Sequence, residues 1–239
     1  MSDYARYRPR YPAGLIEGLA QRTGFRPEWT IADVGCGTGL SAEPFLDNGN
    51  TVYGVEPNPD MRGAAADALA GCERFRIIAG TAEATALAGG SMDMVISGHA
   101  FHWFDSPRAL AEFRRIVKPG GPIVILWNSR QTSGSAPAEA FEAIVQRFGT
   151  DYVQVRHDRF DGERMRAVFG GECERLSIEY AQHLDFETLR GRLLSMSFLP
   201  PAGDPARPLM LDALSEAWDR WGGGPGYRLD YETEIYIGR

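Results

Sequence analysis

Three glycines at 35, 37 and 39 stand in "IADVGCGTG", directly behind a short apolar run. Glycine that dense lets a ligand press against the backbone. A dinucleotide fingerprint would need its third glycine at position 40, which is Leu40, and no Gly-Lys-Ser/Thr closes a phosphate loop. Glu56 ends the next apolar run, "VYGVEPNPDM", about twenty residues after the turn, where a carboxylate can accept hydrogen bonds from both hydroxyls of a ribose. The pair reads as a site for a nucleoside without a pyrophosphate. Further on, "GHAFHWFD" places His102 where it can take a proton from a hydroxyl or a carboxylic acid. The plainer reading of His102 is a hydrogen-bonded ring that shapes the pocket without moving protons.

The elements that must position these residues alternate along the chain. "TIADVGC", "TVYGVEP", "RFRIIAG", "MDMVISG" and "PIVILWN" are short, nearly continuous apolar runs, as strands buried on both faces are. Amphipathic segments lie between them, the pattern of a parallel sheet with crossover helices. In "DSPRALAEFRRIVKPGG" Ser106 is expected to cap a helix with Pro107 at its first position. Leu110, Phe113, Ile116 and Val117 share one face, and Pro119-Gly120-Gly121 stops it. Beyond residue 128, "SRQTSGSAP" reads as a surface loop and "PAEAFEAIVQRFG" as a helix. "DYVQVRHDRFDGERMRAVFGG" reads as an irregular charged stretch. "ECERLSIEYAQHL" and "RLDYETEIYIGR" alternate as strands, with Leu176, Ile178 and Tyr180 on one side of the first and Tyr231, Thr233, Ile235 and Ile237 on one side of the second. Both are expected to join the same sheet, leaving helices at "DFETLRGRLLSMSF" and "RPLMLDALSEAWDRWG" to fold over it.

Composition narrows the partners. The chain has 239 residues, 44% apolar and 24% charged, and a net charge of −7 from 25 basic and 32 acidic side chains. An acidic balance argues against polymeric nucleic acid. No run approaches a membrane span, and "MSDYARYRPRYP" lacks the apolar stretch of a signal peptide, so a cytoplasmic address is expected. Cys36, Cys72 and Cys173 are scattered and the four histidines form no ligand pair, so no metal is expected.

"IADVGCGTG", "VYGVEPNPDM", "AGTAE" and "RRIVKPGG" resemble the successive motifs of class I S-adenosylmethionine-dependent methyltransferases. "YARYRPRYP" and "GHAFHWFD" resemble a small-molecule branch of that class that includes trans-aconitate-type enzymes. The resemblance implies a Rossmann-like α/β fold: seven strands, mostly parallel with the last antiparallel, helices on both faces and a helical lid. It divides the chain into an N-terminal arm over the cofactor site (1–29), a cofactor-binding core (30–128) and a C-terminal part with late strands and lid (129–239). The cofactor would be S-adenosylmethionine, leaving as S-adenosylhomocysteine. Gly35 and Gly37 would let the backbone approach its amino acid moiety, with Cys36 contributing backbone rather than thiol. Asp33 would order the turn or reach the ammonium through water. Glu56 would hold the ribose, and Pro57 and Met61 would flank the adenine. Ala82, after Thr81, would offer its N–H to the adenine with Glu83 nearby. Gly98 and His99 would run beside the methionine portion.

A sulfonium has no hydrogen-bond donor and favours carbonyls and aromatic faces, which Phe101, Trp103 and Phe104 could supply. Methyl transfer gains chiefly from holding the partners close, aligned and dry. Tyr4, Tyr7, Arg8 and Tyr11 either anchor the arm or fold over the cofactor, Tyr7 and Arg8 meeting a carboxylate. Met196, Phe198, Trp218 and Trp221 read as lid packing, with Met196 a candidate for the substrate pocket. His157 and His183 read as surface residues. The expected reaction is O-methylation of a carboxylate or hydroxyl on a small molecule by a monomer or homodimer. The alternatives are a non-catalytic module binding S-adenosylmethionine or S-adenosylhomocysteine, and an NAD-dependent oxidoreductase.

Overall fold

The computed structural model describes residues 7–150 and 162–239; Tyr4 and His157 lie outside them. The five apolar runs form β1 (Thr30–Val34), β2 (Thr51–Val55), β3 (Phe75–Ile78), β4 (Met94–Gly98) and β5 (Ile123–Arg130). Two later strands, β6 (Glu174–Leu184) and β7 (Tyr227–Gly238), complete one seven-stranded sheet in the order β3-β2-β1-β4-β5-β7-β6. β1 pairs in parallel with β2 and β4, β2 with β3, and β4 with β5. The last strand is antiparallel, as the family resemblance implies. Strand order reverses between β1 and β4, the switch point at whose carboxyl edge open α/β sheets bind ligands.

The chain divides into two compact units. The larger holds residues 10–128, 162–178 and 233–239. On one face of its sheet, Ile31, Met94, Ile96 and Val124 pack with α1 (Gly14–Thr23), α2 (Glu43–Asp47) and α3 (Pro59–Ala68). On the other, Ala32, Val95 and Ile125 pack with α4 (Ser106–Ile116) and α6 (Gly162–Phe169). The smaller unit holds residues 7–9, 129–150 and 179–232. Its core joins α5 (Ala136–Phe148), α7 (Phe186–Leu194) and α8 (Ala206–Trp221) to Leu184, Tyr227, Leu229 and Tyr231. Phe198, Trp218, Trp221 and Met196 are half-buried at its margin, and His183 is exposed.

Two local expectations are corrected. Asp105, not Ser106, caps α4: its carboxylate accepts the Arg108 N–H at 3.3 Å, while its own N–H donates to Glu83 at 3.0 Å. That second bond holds Asp105 extended outside the helix, and Ser106 becomes the first helical residue. The charged stretch before β6 is also not irregular throughout. It contains α6, whose Met165 and Phe169, one turn apart, are buried while its charged residues stay outside.

α4 carries a buried acid that ties it to the loop after β3. Glu112 accepts from the Thr85 N–H at 2.8 Å and the Thr85 hydroxyl at 2.6 Å, and pairs with Arg115. These donors, Arg115 foremost, hold its carboxyl down at about 2. Folding therefore lowers its proton affinity, and its contribution is full above pH 4.5 and fades as pH falls towards 2. Glu112→Ala is expected to cost about 2 kcal/mol in urea denaturation at pH 7, because the Thr85 amide loses its partner in the interior. The deficit should shrink in acid.

Candidate functional site

The carboxyl edge of the larger unit is built on the glycine turn. Gly35 and Cys36 both donate their N–H to the Val55 carbonyl, at 2.8 and 3.2 Å, locking the end of β1 onto the end of β2. Gly35 has φ +71°, and a Cβ there would fall 2.6 Å from Ala100 Cβ and 2.8 Å from the Phe104 ring, so the segment after β4 packs directly over it. At Gly37 the surroundings are the reverse. Among the described residues, no atom lies within 4 Å of where its Cβ would be.

Glu56 lies beside that open space. One carboxylate oxygen accepts the Gly37 N–H at 3.0 Å and the other the Asn58 N–H at 3.0 Å. A carboxylate has about four acceptor positions, so two remain for further hydroxyl donors. Pro57 is exposed and Met61 half-buried at the start of α3, which Asn58 caps.

Asp33 is fully buried at the end of β1. Ser41 donates to one of its oxygens at 2.6 Å, and the other has no partner. Burial, opposed by Ser41 and reinforced by Glu56, pushes its carboxyl up to about 7. Cys36 is buried as well; burial and the two acids raise its thiol far above the usual range, so it stays protonated and inert.

The other candidates sit on the same edge. Thr81 and Ala84 exchange backbone hydrogen bonds at 3.1 and 3.2 Å, a bridge in which the Ala82 N–H takes no part. Glu83 is engaged by the Asp105 amide. Gly98 leaves room for the Tyr11 hydroxyl, which stands 2.6 Å from where a Cβ would be, next to Ser41. His99, at φ +53°, accepts the Asn128 N–H through Nε2 at 2.6 Å. Phe101 is buried in the core against Phe104 and Phe113, His102 is half-buried against Trp103, and Trp103 itself is 80% exposed. The aromatic run thus splits between core and solvent. Tyr7, Arg8 and Met196 belong to the smaller unit. There the Tyr7 ring covers Gly191 and its hydroxyl donates to Glu187 at 3.4 Å, while Arg8 donates to the Ser195 carbonyl at 3.4 Å.

Sequence reasoning missed Ser41 and Asn128. The Asn128 amide donates to the Arg10 carbonyl and its oxygen accepts from Thr233, both at 3.3 Å, so it ties three segments at the sheet edge. Its one signal in the sequence was a polar residue ending the apolar run "PIVILWN".

These residues fit a nucleoside-bearing cofactor: a ribose-type acceptor with spare capacity, a backbone turn beside it that no described residue covers, and a buried acid with one oxygen lacking a partner. Among the described residues, no three metal-ligating side chains gather and no helix is long and apolar enough to cross a membrane.

Comparison with known proteins bears on the same segment. Residues 32–125 match the model of a methyltransferase domain. An uncharacterized methyltransferase of Mycobacterium tuberculosis is 35% identical over 213 residues, covering 89% of this chain and 81% of the relative. Two solved structures share the fold. A protein of Anaeromyxobacter dehalogenans, described as a type II methyltransferase, has TM-score 0.67 at 24% identity and 98% coverage of both chains. One of Anabaena variabilis, described as a methyltransferase of an antibiotic biosynthesis pathway, has TM-score 0.62 at 20% identity and covers 95% of this chain and 98% of its own. The oxidoreductase alternative falls, and the chain belongs to the class I S-adenosylmethionine-dependent methyltransferases.

Proposed function

We propose that the protein methylates an oxygen, of a carboxylate or hydroxyl, on a small organic molecule. The observation that carries the cofactor half of this reading is Glu56 bound to the glycine turn beside Gly37, over which no described residue packs. The acidic net charge supports a small acceptor over a nucleic acid. So does "SGHA", which stands where enzymes of the class that methylate bases typically carry an Asn/Asp-Pro-Pro-aromatic motif.

When bound, the cofactor supplies an electrophilic methyl group on a sulfonium. Glu56 holds the ribose with the acceptor positions left over from Gly37 and Asn58. The Ala82 N–H is available to the adenine, with Pro57 and Met61 beside it, and Asp33, Gly35, Gly98 and His99 serve the amino acid end. His102 takes the proton of the acceptor hydroxyl through its imidazole. In this reading the larger unit binds the cofactor and the smaller unit selects the acceptor.

Three measurements test these assignments. Glu56→Ala should weaken S-adenosylhomocysteine binding in calorimetry by about 1.5–3 kcal/mol, the value of hydrogen bonds to a charged group. His102→Ala should lower single-turnover rates about 10²–10⁴-fold with cofactor affinity unchanged; a mild effect makes it a pocket-shaping ring. Cofactor binding with no labelled methyl product from a metabolite extract would leave a non-catalytic binder.

A fourth measurement concerns Asp33 in the ligand-free protein. Its native pKa of about 7 lies above the ordinary 3.8, so the native state holds the proton more tightly. The resulting stabilisation is full below pH 3.8 and is lost as pH rises to about 7. Between about pH 5.5 and 8 the loss is about 2 kcal/mol. Asp33→Asn should remove most of this decline in urea denaturation and be the more stable protein at pH 8.

A further inference from the structure

The smaller unit contains a corner where hydrogen-bond donors outnumber acceptors. Arg192, on α7, is only 5% exposed. It donates Nε to the Tyr7 carbonyl, Nη1 to the Tyr231 hydroxyl and Nη2 to Gln182 at 3.0 Å. All three acceptors are neutral, and among the described residues no carboxylate pairs with this guanidinium. A buried cation without a counter-charge is costly and calls for an anion. Arg130, nearby on β5, shows the ordinary solution within the same unit, since Glu142 neutralises it.

Tyr231 makes the second, independent observation. It is 2% exposed, stacked on Tyr180 at 5.4 Å, with the Arg192 guanidinium also lying 5.5 Å from its ring centre. Its oxygen accepts from Arg192, yet its own O–H reaches no acceptor among the described residues. The charges that bear on it are all positive: Arg192, Arg130 and Arg8. Arg192 spends three of its five N–H groups on neutral partners, so two remain beside the Tyr231 O–H.

We infer that Arg192 and Tyr231 form the anchor for a carboxylate of the acceptor molecule. One guanidinium lacking a counter-ion and one phenol match a planar monoanion, whereas a phosphate dianion would call for a second such charge. The corner itself rests on the geometry of the smaller unit alone; only the word acceptor rests on the methyl-transfer reading above.

The test titrates benzoate, hexanoate and succinate, each against its amide, into the full chain with and without saturating S-adenosylhomocysteine. Melting temperature and calorimetry are the readouts. At least one acid is expected to bind and raise the melting temperature while its amide does neither. Arg192→Lys should weaken that acid at least about tenfold, as expected for a lost charged hydrogen bond. Tyr231→Phe, which keeps the ring and removes only the hydroxyl, should weaken it about threefold or more. S-adenosylhomocysteine affinity should be unchanged in both variants. The inference is overturned if no acid binds the wild type, or if the variants melt lower yet respond to acid as before, which makes the corner a structural tie. Loss of S-adenosylhomocysteine affinity with the acid response intact assigns the corner to the cofactor's own carboxylate, and the acceptor assignment falls. Failure of the wild type to bind S-adenosylhomocysteine, with the acid response retained, counts against the cofactor reading and leaves the anion corner standing.

Discussion

The bond from the Gly37 N–H to the Glu56 carboxylate is the constraint on which the candidate site depends. It links the turn after β1 to the end of β2, beside the two amides that converge on the Val55 carbonyl. Together these bonds fix where the backbone turns away from the sheet and leave the space at Gly37 clear of the described residues. The segment carrying Ala100 and Phe104 can then settle on Gly35, because nothing larger than hydrogen projects there. Shift Glu56, and both the turn and the surface it presents shift with it.

Two buried carboxylates show how differently one fold can treat the same group. Glu112 is surrounded by donors from Thr85 and Arg115 and is held ionised, so it works as a structural tie. Asp33 has one donor, an unpartnered oxygen and a second acid nearby, so burial wins and its proton affinity rises. The first arrangement stabilises the fold. The second carries a penalty that packing alone has no reason to keep, and it lies at the sheet edge where ligands bind in this architecture. Arg192 in the smaller unit has the same character with the sign reversed: a buried charge given neutral partners where a neighbouring arginine has a carboxylate.

Local pattern determined much of this protein. β1, β4 and β5 are buried on both faces over most of their length, and their near-continuous apolar runs mark them without reference to the rest of the chain. The spacing of Gly35, Gly37 and Glu56 carries the proposed nucleoside site because strand ends and tight turns hold their chemistry in consecutive residues. Tertiary structure decided what depends on distant partners. Glu83, from another loop, holds the Asp105 amide and so moves the helix cap one residue ahead of Ser106. α6 forms inside a charged stretch because two of its side chains find a core. Asn128 meets Arg10 and Thr233, and Arg192 meets Tyr7, Gln182 and Tyr231, across separations no periodicity encodes. Hydrophobic period is a property of neighbours along the chain, whereas the balance of donors, acceptors and charge around a buried side chain exists only once the chain has closed on itself.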